Sequence, residues 1–194
     1  QKEVEIMRNI QQRILPKSFP KYVGLDIAGA SLPAKEVGGD FYDFIPIDER
    51  KFAAVVADVS GKSLPAALFM AMSRSVFRVL SKSHSSPLDV LTSANEFLVR
   101  DSEAGYFVTV FYVLCDMESR EIRFACAGHN AQVLYRKSVN DVVLLKSTGM
   151  PLGVSDYARF GEAKRSYEPG DTLVMFTDGV TEASNDLNEE FGED

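Results

Sequence analysis

Cysteine and histidine are scarce in this sequence, with two residues of each type among 194. Cys115 and Cys126 both lie inside apolar stretches, and their spacing fits neither a zinc module nor a disulfide framework. We therefore interpret both as small buried hydrophobic residues of a protein in a reducing compartment. So few nitrogen and sulfur ligands also argue against a zinc site.

Long apolar runs and basic runs are missing as well. No apolar stretch approaches the roughly 20 residues that a membrane span needs, and no secretory signal is visible. The net charge is −7 and no run of five or more basic residues occurs, which argues against a nucleic-acid partner. Apolar residues make up 45% of the chain, as in ordinary globular proteins. We therefore expect a cytoplasmic protein without a membrane segment in this chain.

Residues 1–15 predict a helix, because Glu, Gln, Arg and Met are frequent there and neither glycine nor proline interrupts them. Met7, Ile10 and Ile14, with Val4 nearby, form one narrow apolar stripe. This stripe fits either a helix packed on the domain's own core or the end of a coiled coil. Two heptads do not distinguish these alternatives.

The first residue, Gln1, is not a methionine, so we expect the chain to be a piece of a longer protein. Residues 1–16 would then be a linker helix that reaches a missing upstream sensor or receiver domain. Residues 1–15 would also be available for a homodimer contact through the coiled coil. Residues 17–194 would form the functional domain.

The rest of the chain alternates between strand-like and helical patterns. A polar turn at residues 47–51 predicts an antiparallel hairpin between the two strands beside it. The order of strands, then two helices, then many strands favours an α+β fold with antiparallel sheets covered by helices. The predicted helices are Leu64–Leu80 and Pro87–Val99. The predicted strands are Leu25–Leu32, Phe41–Ile47, Phe52–Val59, Phe107–Leu114, Glu121–Ala127, Gln132–Arg136, Val142–Lys146, Phe160–Tyr167 and Thr172–Phe176.

Three aspartates stand where strand patterns meet glycines: Asp40 after Gly38-Gly39, Asp58 before Gly61, and Asp178 before Gly179. An aspartate beside a glycine is often only a turn residue. Three such residues at strand ends are less easily explained in this way, because a buried carboxylate must be satisfied by a partner. Convergent oxygen ligands suit Mg²⁺ or Mn²⁺. The pattern alone therefore predicts a hard-cation site in an α+β domain.

Six segments resemble, in order, the motifs of the PPM (PP2C-like) phosphatases. The bacterial branch related to stage II sporulation protein E and the stress-response sigma-factor regulators is the most similar. The first segment looks like the linker helix of that branch, and the second and third are similar to its first two metal motifs. The segments are Ile10–Pro16, Pro33–Asp43, Ala57–Lys62, Ala127–Asn130, Pro151–Gly153 and Phe176–Ala183.

The resemblance implies a sandwich of two packed antiparallel sheets flanked by helices, with two Mn²⁺ or Mg²⁺ ions at one end. Asp58 would bridge both ions, the carbonyl of its neighbour Val59 would bind one of them, Asp178 would hold one, and Asp40 would bind directly or through water. Lys35 lies where relatives place a cation for phosphate, although a solvated surface lysine explains it equally well.

The activity that the resemblance implies is that of a protein serine/threonine phosphatase that uses a metal-activated water. Its substrate would be a phosphoserine or phosphothreonine on a partner protein, by family analogy an anti-sigma-factor antagonist. Two alternatives remain: a docking domain of the same fold that binds a phosphoprotein without hydrolysis, and a nucleotide cyclase. The cyclase is suggested by the Gly38–Phe41 turn, but Phe41 stands where cyclases have a second acid.

The sequence departs from the family pattern at two places. Eukaryotic relatives carry a histidine shortly after the bridging aspartate, whereas this chain has Ser60-Gly61-Lys62 there. We interpret His129 as a turn or packing residue rather than as a replacement. The family normally ends with a helix and a strand that carries one more metal-binding aspartate, so the domain looks C-terminally truncated at Asp194. We expect weaker metal binding beside Asp178 for this reason.

Overall fold

The computed structural model describes residues 2–32, 38–61, 63–101, 105–146 and 148–192. Two antiparallel sheets pack on each other, and two long helices cover the outer face of the larger one. The helices are α1 (Lys2–Ile14), α2 (Leu64–Ser83), α3 (Pro87–Asp101) and α4 (Asp178–Thr181). The strands are β1 (Phe41–Pro46), β2 (Lys51–Val59), β3 (Val108–Asp116), β4 (Glu121–Ala127), β5 (Gln132–Arg136), β6 (Asp141–Leu145), β7 (Ala163–Ser166) and β8 (Thr172–Val174).

The larger sheet has five strands in the order β1-β2-β3-β4-β7, and the smaller one has three in the order β6-β5-β8. The predicted hairpin is confirmed, since β1 pairs antiparallel with β2 from Phe41↔Ala57 to Pro46↔Phe52. The predicted α+β class with two antiparallel sheets and flanking helices is confirmed as well.

Strand β2 is apolar on both faces because each face covers a different core. Val55 and Ala57 point to one side and pack with α2 and α3. Ala54 and Val56 point to the other side and pack with the smaller sheet. Successive side chains of a strand alternate between faces, so this continuous apolar run separates into two clusters. Asp58 follows on the second face, at the end of the core between the sheets.

Helix α2 begins with a capping hydrogen bond from the Ala66 amide to Ser63 Oγ, and proline stands in its first turn. Among the described residues it is the one helix that by length and composition alone could cross a membrane. Its buried residues, among them Met70 and Phe77, belong to the core between α2, α3 and the larger sheet. The packing of these residues in the core accounts for the apolar composition of α2.

Three predicted strands need correction. Leu25–Leu32 is not a strand: only the isolated bridge Tyr22↔Leu25 forms there. Its run of small residues has a low tendency to form strands. Gly29 lies against the ring of Tyr42, and a Cβ added at Gly29 would stand 2.9 Å from Tyr42 Cε2. Phe160–Tyr167 shortens to β7, which pairs with β4 over four residues.

The last predicted strand, Thr172–Phe176, ends two residues early. Val174 is the final residue of β8, because the Phe176 amide donates to the Gln132 side chain at 2.6 Å and not to a neighbouring strand. Both cysteines are buried, as expected, in the larger sheet.

Candidate functional site

Asp40 and Asp58 lie opposite each other at the end of the β1–β2 ladder. The regular pairing ends with Phe41↔Ala57, and the Val59 amide donates to the Gly39 carbonyl at 3.3 Å just beyond it. The antiparallel register therefore continues past Phe41↔Ala57 and places Asp40 across from Asp58. Directly opposed residues of an antiparallel pair point to the same face, so both carboxylates are on the side of the smaller sheet.

Gly39 permits an unusually close approach between the two strand ends. A Cβ at this position would stand 2.2 Å from the Val59 carbonyl oxygen and 3.0 Å from Asp58 Oδ1. No residue other than glycine fits in this space without moving the backbone. The requirement for glycine therefore follows from a cradle in which the Val59 carbonyl and the Asp58 carboxylate both face Gly39.

Asp178 comes from the other side of the sandwich, where it begins the short helix α4 directly after the N-cap residue Thr177. Thr177 Oγ1 donates a hydrogen bond to Asp40 Oδ2 at 2.6 Å. This bond joins the segment after β8 to the segment before β1, across 137 positions of sequence. The end of the smaller sheet is thus fastened to the carboxylate at the end of the larger one.

His129 lies between the two sheets and is 5% exposed. The Phe176 carbonyl can only accept, so His129 Nε2 donates to it at 3.1 Å and Nδ1 accepts from Thr109 Oγ1 at 2.8 Å. Asn130 Nδ2 and Gln132 Nε2 donate to the same carbonyl at 3.2 and 3.0 Å. Three side chains therefore fix the backbone two residues before Asp178.

The pKa of His129 is lowered, mainly because burial disfavours the imidazolium. The hydrogen bond to the Phe176 carbonyl and the negative charges of Asp178 and Asp40 act in the opposite direction. The net result is a neutral imidazole that serves as a bridge between the sheets. The interpretation of His129 as a packing residue agrees with these contacts.

The predicted site residues come together to different degrees. Asp40, Asp58 and Val59 meet at one strand end, and Asp178 follows Thr177, which contacts Asp40. Lys35 lies outside the described residues. Within the described part of the chain, no group of three or more His, Cys, Asp or Glu side chains is close enough to hold one metal ion.

The donors nevertheless fit a hard divalent cation in chemical type. The Asp58 carboxylate and the Val59 carbonyl face Gly39, and Asp40 stands opposite Asp58; carboxylate and carbonyl oxygens are the ligands of Mg²⁺ and Mn²⁺. Mg²⁺ commonly keeps several waters and uses only one or two carboxylates, so a three-residue group is not required.

Sequence patterns did not reveal the residues that connect these carboxylates. Thr109 and Gln132 belong to no motif, and Thr177 lies in the Phe176–Ala183 segment without a predicted role. Each acts through a contact distant in sequence. One signal was present: Gln132 is a polar residue at the start of an apolar strand, and it is completely buried. A buried amide must find hydrogen-bond partners, which marks it as structurally significant.

A two-sheet sandwich with carboxylates at adjoining strand ends defines the class of PP2C-like phosphatase folds. The family model of "Stage II sporulation protein E (SpoIIE)" matches residues 48–194, and the chain belongs to this family.

Individual proteins agree with this assignment. The chain is 35% identical over 180 residues to phosphoserine phosphatase RsbU of Bacillus subtilis (strain 168), covering 93% of this chain and 53% of that protein. It is 26% identical over 183 residues to phosphoserine phosphatase RsbP of the same organism, covering 92% of this chain and 45% of that protein. The chain thus spans about half the length of these relatives.

Solved structures confirm the fold. The SiaA PP2C domain of Pseudomonas aeruginosa matches with a TM-score of 0.79 at 20% identity, over 99% of this chain and 77% of that one. At this level of identity the likeness establishes the sandwich architecture and nothing finer.

Proposed function

We propose that this chain is the catalytic domain of a metal-dependent serine/threonine phosphatase that hydrolyses phosphoserine or phosphothreonine on a partner protein. The observation that carries the proposal is the Gly39 cradle, where the Val59 carbonyl and Asp58 carboxylate meet opposite Asp40. Membership of the SpoIIE family supports a phosphatase over a nucleotide cyclase.

The residues of the chain would divide the work by position. Asp58 and the Val59 carbonyl would hold two Mn²⁺ or Mg²⁺ ions together with Asp40 and Asp178, and Lys35 would bind the phosphate. When bound, such cations acidify water and neutralise charge on the phosphoryl oxygens. Thr177 would keep the Asp40 carboxylate in position, and His129 would hold the two sheet ends at a fixed separation.

The partner and the context of the domain are inferred from the family. A phosphorylated anti-sigma-factor antagonist is the proposed substrate, because the family resemblance includes the sigma-factor regulators. An upstream sensor or receiver domain would connect through residues 1–16, and a homodimer would form through residues 1–15.

The alternative of a docking domain without hydrolysis has one observation in its favour. No three ligand side chains group together among the described residues, which would suit a site with weakened metal binding. Both alternatives predict binding of a phosphoprotein, but only the phosphatase releases phosphate.

Phosphate release with Mn²⁺ separates the two alternatives. We expect the full-length protein that contains this chain to hydrolyse p-nitrophenyl phosphate and a phosphoserine peptide only when Mn²⁺ or Mg²⁺ is added. Asp58→Ala should lower the rate by at least about 100-fold, since it removes a carboxylate from the proposed cation site. Asp156→Ala, in an exposed turn, is the matched aspartate control. No metal-dependent release from the wild-type protein would leave the docking domain as the better explanation.

A further inference from the structure

Helix α1 contacts the domain through a polar side chain. Gln11 is 8% exposed, whereas Ile6 and Ile10 of the same helix are 51% and 53% exposed. The usual amphipathic arrangement would bury Ile6 and Ile10 and expose the glutamine. An amide buried in preference to apolar neighbours indicates that its hydrogen bonds have a specific role.

The Gln11 amide pairs with both backbone groups of one residue in the loop before β1. Gln11 Oε1 accepts from the Gly38 N–H at 3.2 Å, and Gln11 Nε2 donates to the Gly38 carbonyl. A primary amide offers a donor and an acceptor side by side, which matches the carbonyl and the N–H of a single residue. The pair spans 27 positions of sequence and fastens α1 to this loop.

Gly38 is directly followed by the cradle residue Gly39 and then by Asp40. Two successive glycines have more backbone freedom than any other dipeptide, so their conformation must be imposed from outside. On one side the Val59 amide binds the Gly39 carbonyl at 3.3 Å. On the other side Gln11 binds Gly38. The glycine pair is therefore held at both ends.

We propose that Gln11 is a positioning residue that fixes the Gly38–Gly39 backbone and thereby places Asp40 beside Asp58 and the Val59 carbonyl. Gln11 does not touch the cations or the substrate; it acts through the loop. This inference rests on the proposed function for its catalytic consequence, but its structural part concerns the loop alone.

The same geometry occurs at the other carboxylate segment, which supports the inference. Gln132 Oε1 accepts from the Phe176 amide and Gln132 Nε2 donates to the Phe176 carbonyl. Gly38 and Phe176 each stand two residues before an aspartate, Asp40 and Asp178 respectively. A glutamine amide thus holds the equivalent backbone position in both segments.

The test compares Gln11→Ala and Gln11→Glu with Gln12→Ala in the full-length protein. Gln12 is the adjacent glutamine of α1 and is exposed, so its replacement changes the helix in the same way without touching Gly38. Gln11→Glu keeps the acceptor for the Gly38 amide but sets a carboxylate oxygen against its carbonyl.

We expect both Gln11 variants to show at least about threefold faster hydrogen exchange in peptides that cover residues 38–46, measured without metal. They should also need about tenfold more Mn²⁺ for half-maximal phosphatase activity and bind Mn²⁺ correspondingly more weakly in calorimetry. Their kcat at saturating Mn²⁺ should stay within about twofold of the wild-type value. Gln12→Ala should match the wild type in every measurement.

Gln11 variants that match Gln12→Ala in exchange and in Mn²⁺ affinity would overturn the proposal, even if they lowered the melting temperature. A lower kcat that persists at saturating Mn²⁺ would overturn it as well. If the wild-type protein shows no metal-dependent activity, the phosphatase proposal fails, while the exchange measurement still decides whether Gln11 orders the loop.

Discussion

The hydrogen bond from Thr177 Oγ1 to Asp40 Oδ2, at 2.6 Å, is the contact by which one residue joins the two carboxylate segments. Hydrogen bonds to a charged acceptor are shorter and stronger than neutral ones. Thr177 is also the N-cap residue of α4, and the helix begins directly after it, at Asp178. A change at this position should therefore affect both aspartates.

Thr177→Val removes the hydroxyl and keeps the shape of the side chain. Loss of a charge-assisted hydrogen bond of about 1.5–3 kcal/mol should raise the Mn²⁺ concentration for half-maximal activity by roughly tenfold or more. A Mn²⁺ titration of phosphatase activity measures this shift. Thr177→Ser retains the hydroxyl and should stay near the wild type; equal behaviour of the two variants would show that the bond does not orient Asp40.

At the scale of elements, a buried carboxylate fastens the edge strand β1 to helix α2. Asp43 is completely buried and accepts from Arg78 Nε at 2.5 Å and Nη2 at 2.9 Å, and it pairs with Arg74 Nη2 at 3.0 Å. The hydrogen bond to Asp43 raises the pKa of Arg78, whereas burial lowers that of Arg74. Asp43 stands three residues after Asp40, so this network supports the strand that carries the site.

Asp43→Ala should destabilise the protein by about 3–5 kcal/mol, because it leaves the buried Arg74 guanidinium without its counter-charge. Urea unfolding followed by circular dichroism measures this loss. Glu118→Ala breaks the Arg50–Glu118 pair, whose side chains are 63% and 66% exposed, and should have little effect. A similarly small effect for Asp43→Ala would mean that water replaces the carboxylate.

Helix α1 is the element with the most open role. Ile6 and Ile10 remain more than half exposed, whereas Ile14 is partly buried, so the exposed pair leaves an apolar face available to a second helix. The alternatives of a coiled coil and a helix resting on the core therefore remain predictions to be decided by the oligomeric state of the full-length protein. The Gln11–Gly38 contact is compatible with either, since Gln11 points to a different side of the helix from Ile6 and Ile10.

At the scale of the whole molecule, the two sheets are held together near the site by polar contacts and elsewhere by an apolar core. Phe111, Phe124 and Leu134 belong to that core. Beyond it, His129 bridges Thr109 of the larger sheet and the Phe176 carbonyl after the smaller sheet. The imidazole does so in its neutral form, which makes the stability of this end dependent on pH.

The protein should lose stability as the pH falls below about 6.5, the ordinary value for histidine. The folded-state pKa of His129 is lower than that of the unfolded chain, so the unfolded state binds more protons in this window and acidification favours it. His129→Gln should remove the loss of stability that comes from His129, which is seen at pH values above those where carboxylates titrate. Thermal unfolding between pH 5 and 8 measures it, and an unchanged pH dependence in the variant would contradict the assignment to His129.

The sequence by itself determined the class of fold and the carboxylates of the proposed site. The hairpin of β1 and β2, the helices α2 and α3 and the order of the elements follow from local periodicity and turn residues, which act over a few positions. Asp40, Asp58 and Asp178 were identifiable because each stands where a strand pattern meets glycine. Such signals are local, so they survive in the sequence.

Only the tertiary structure decided how those carboxylates are connected and which segments pair. Leu25–Leu32 resembled a strand but forms only the isolated bridge Tyr22↔Leu25, because a strand needs a neighbouring strand elsewhere in the chain. Thr177 reaches Asp40, and Gln11 reaches Gly38, across 137 and 27 positions respectively. Hydrogen bonds between distant segments exist only once the backbone has folded, and for this reason no local pattern of residues specifies them.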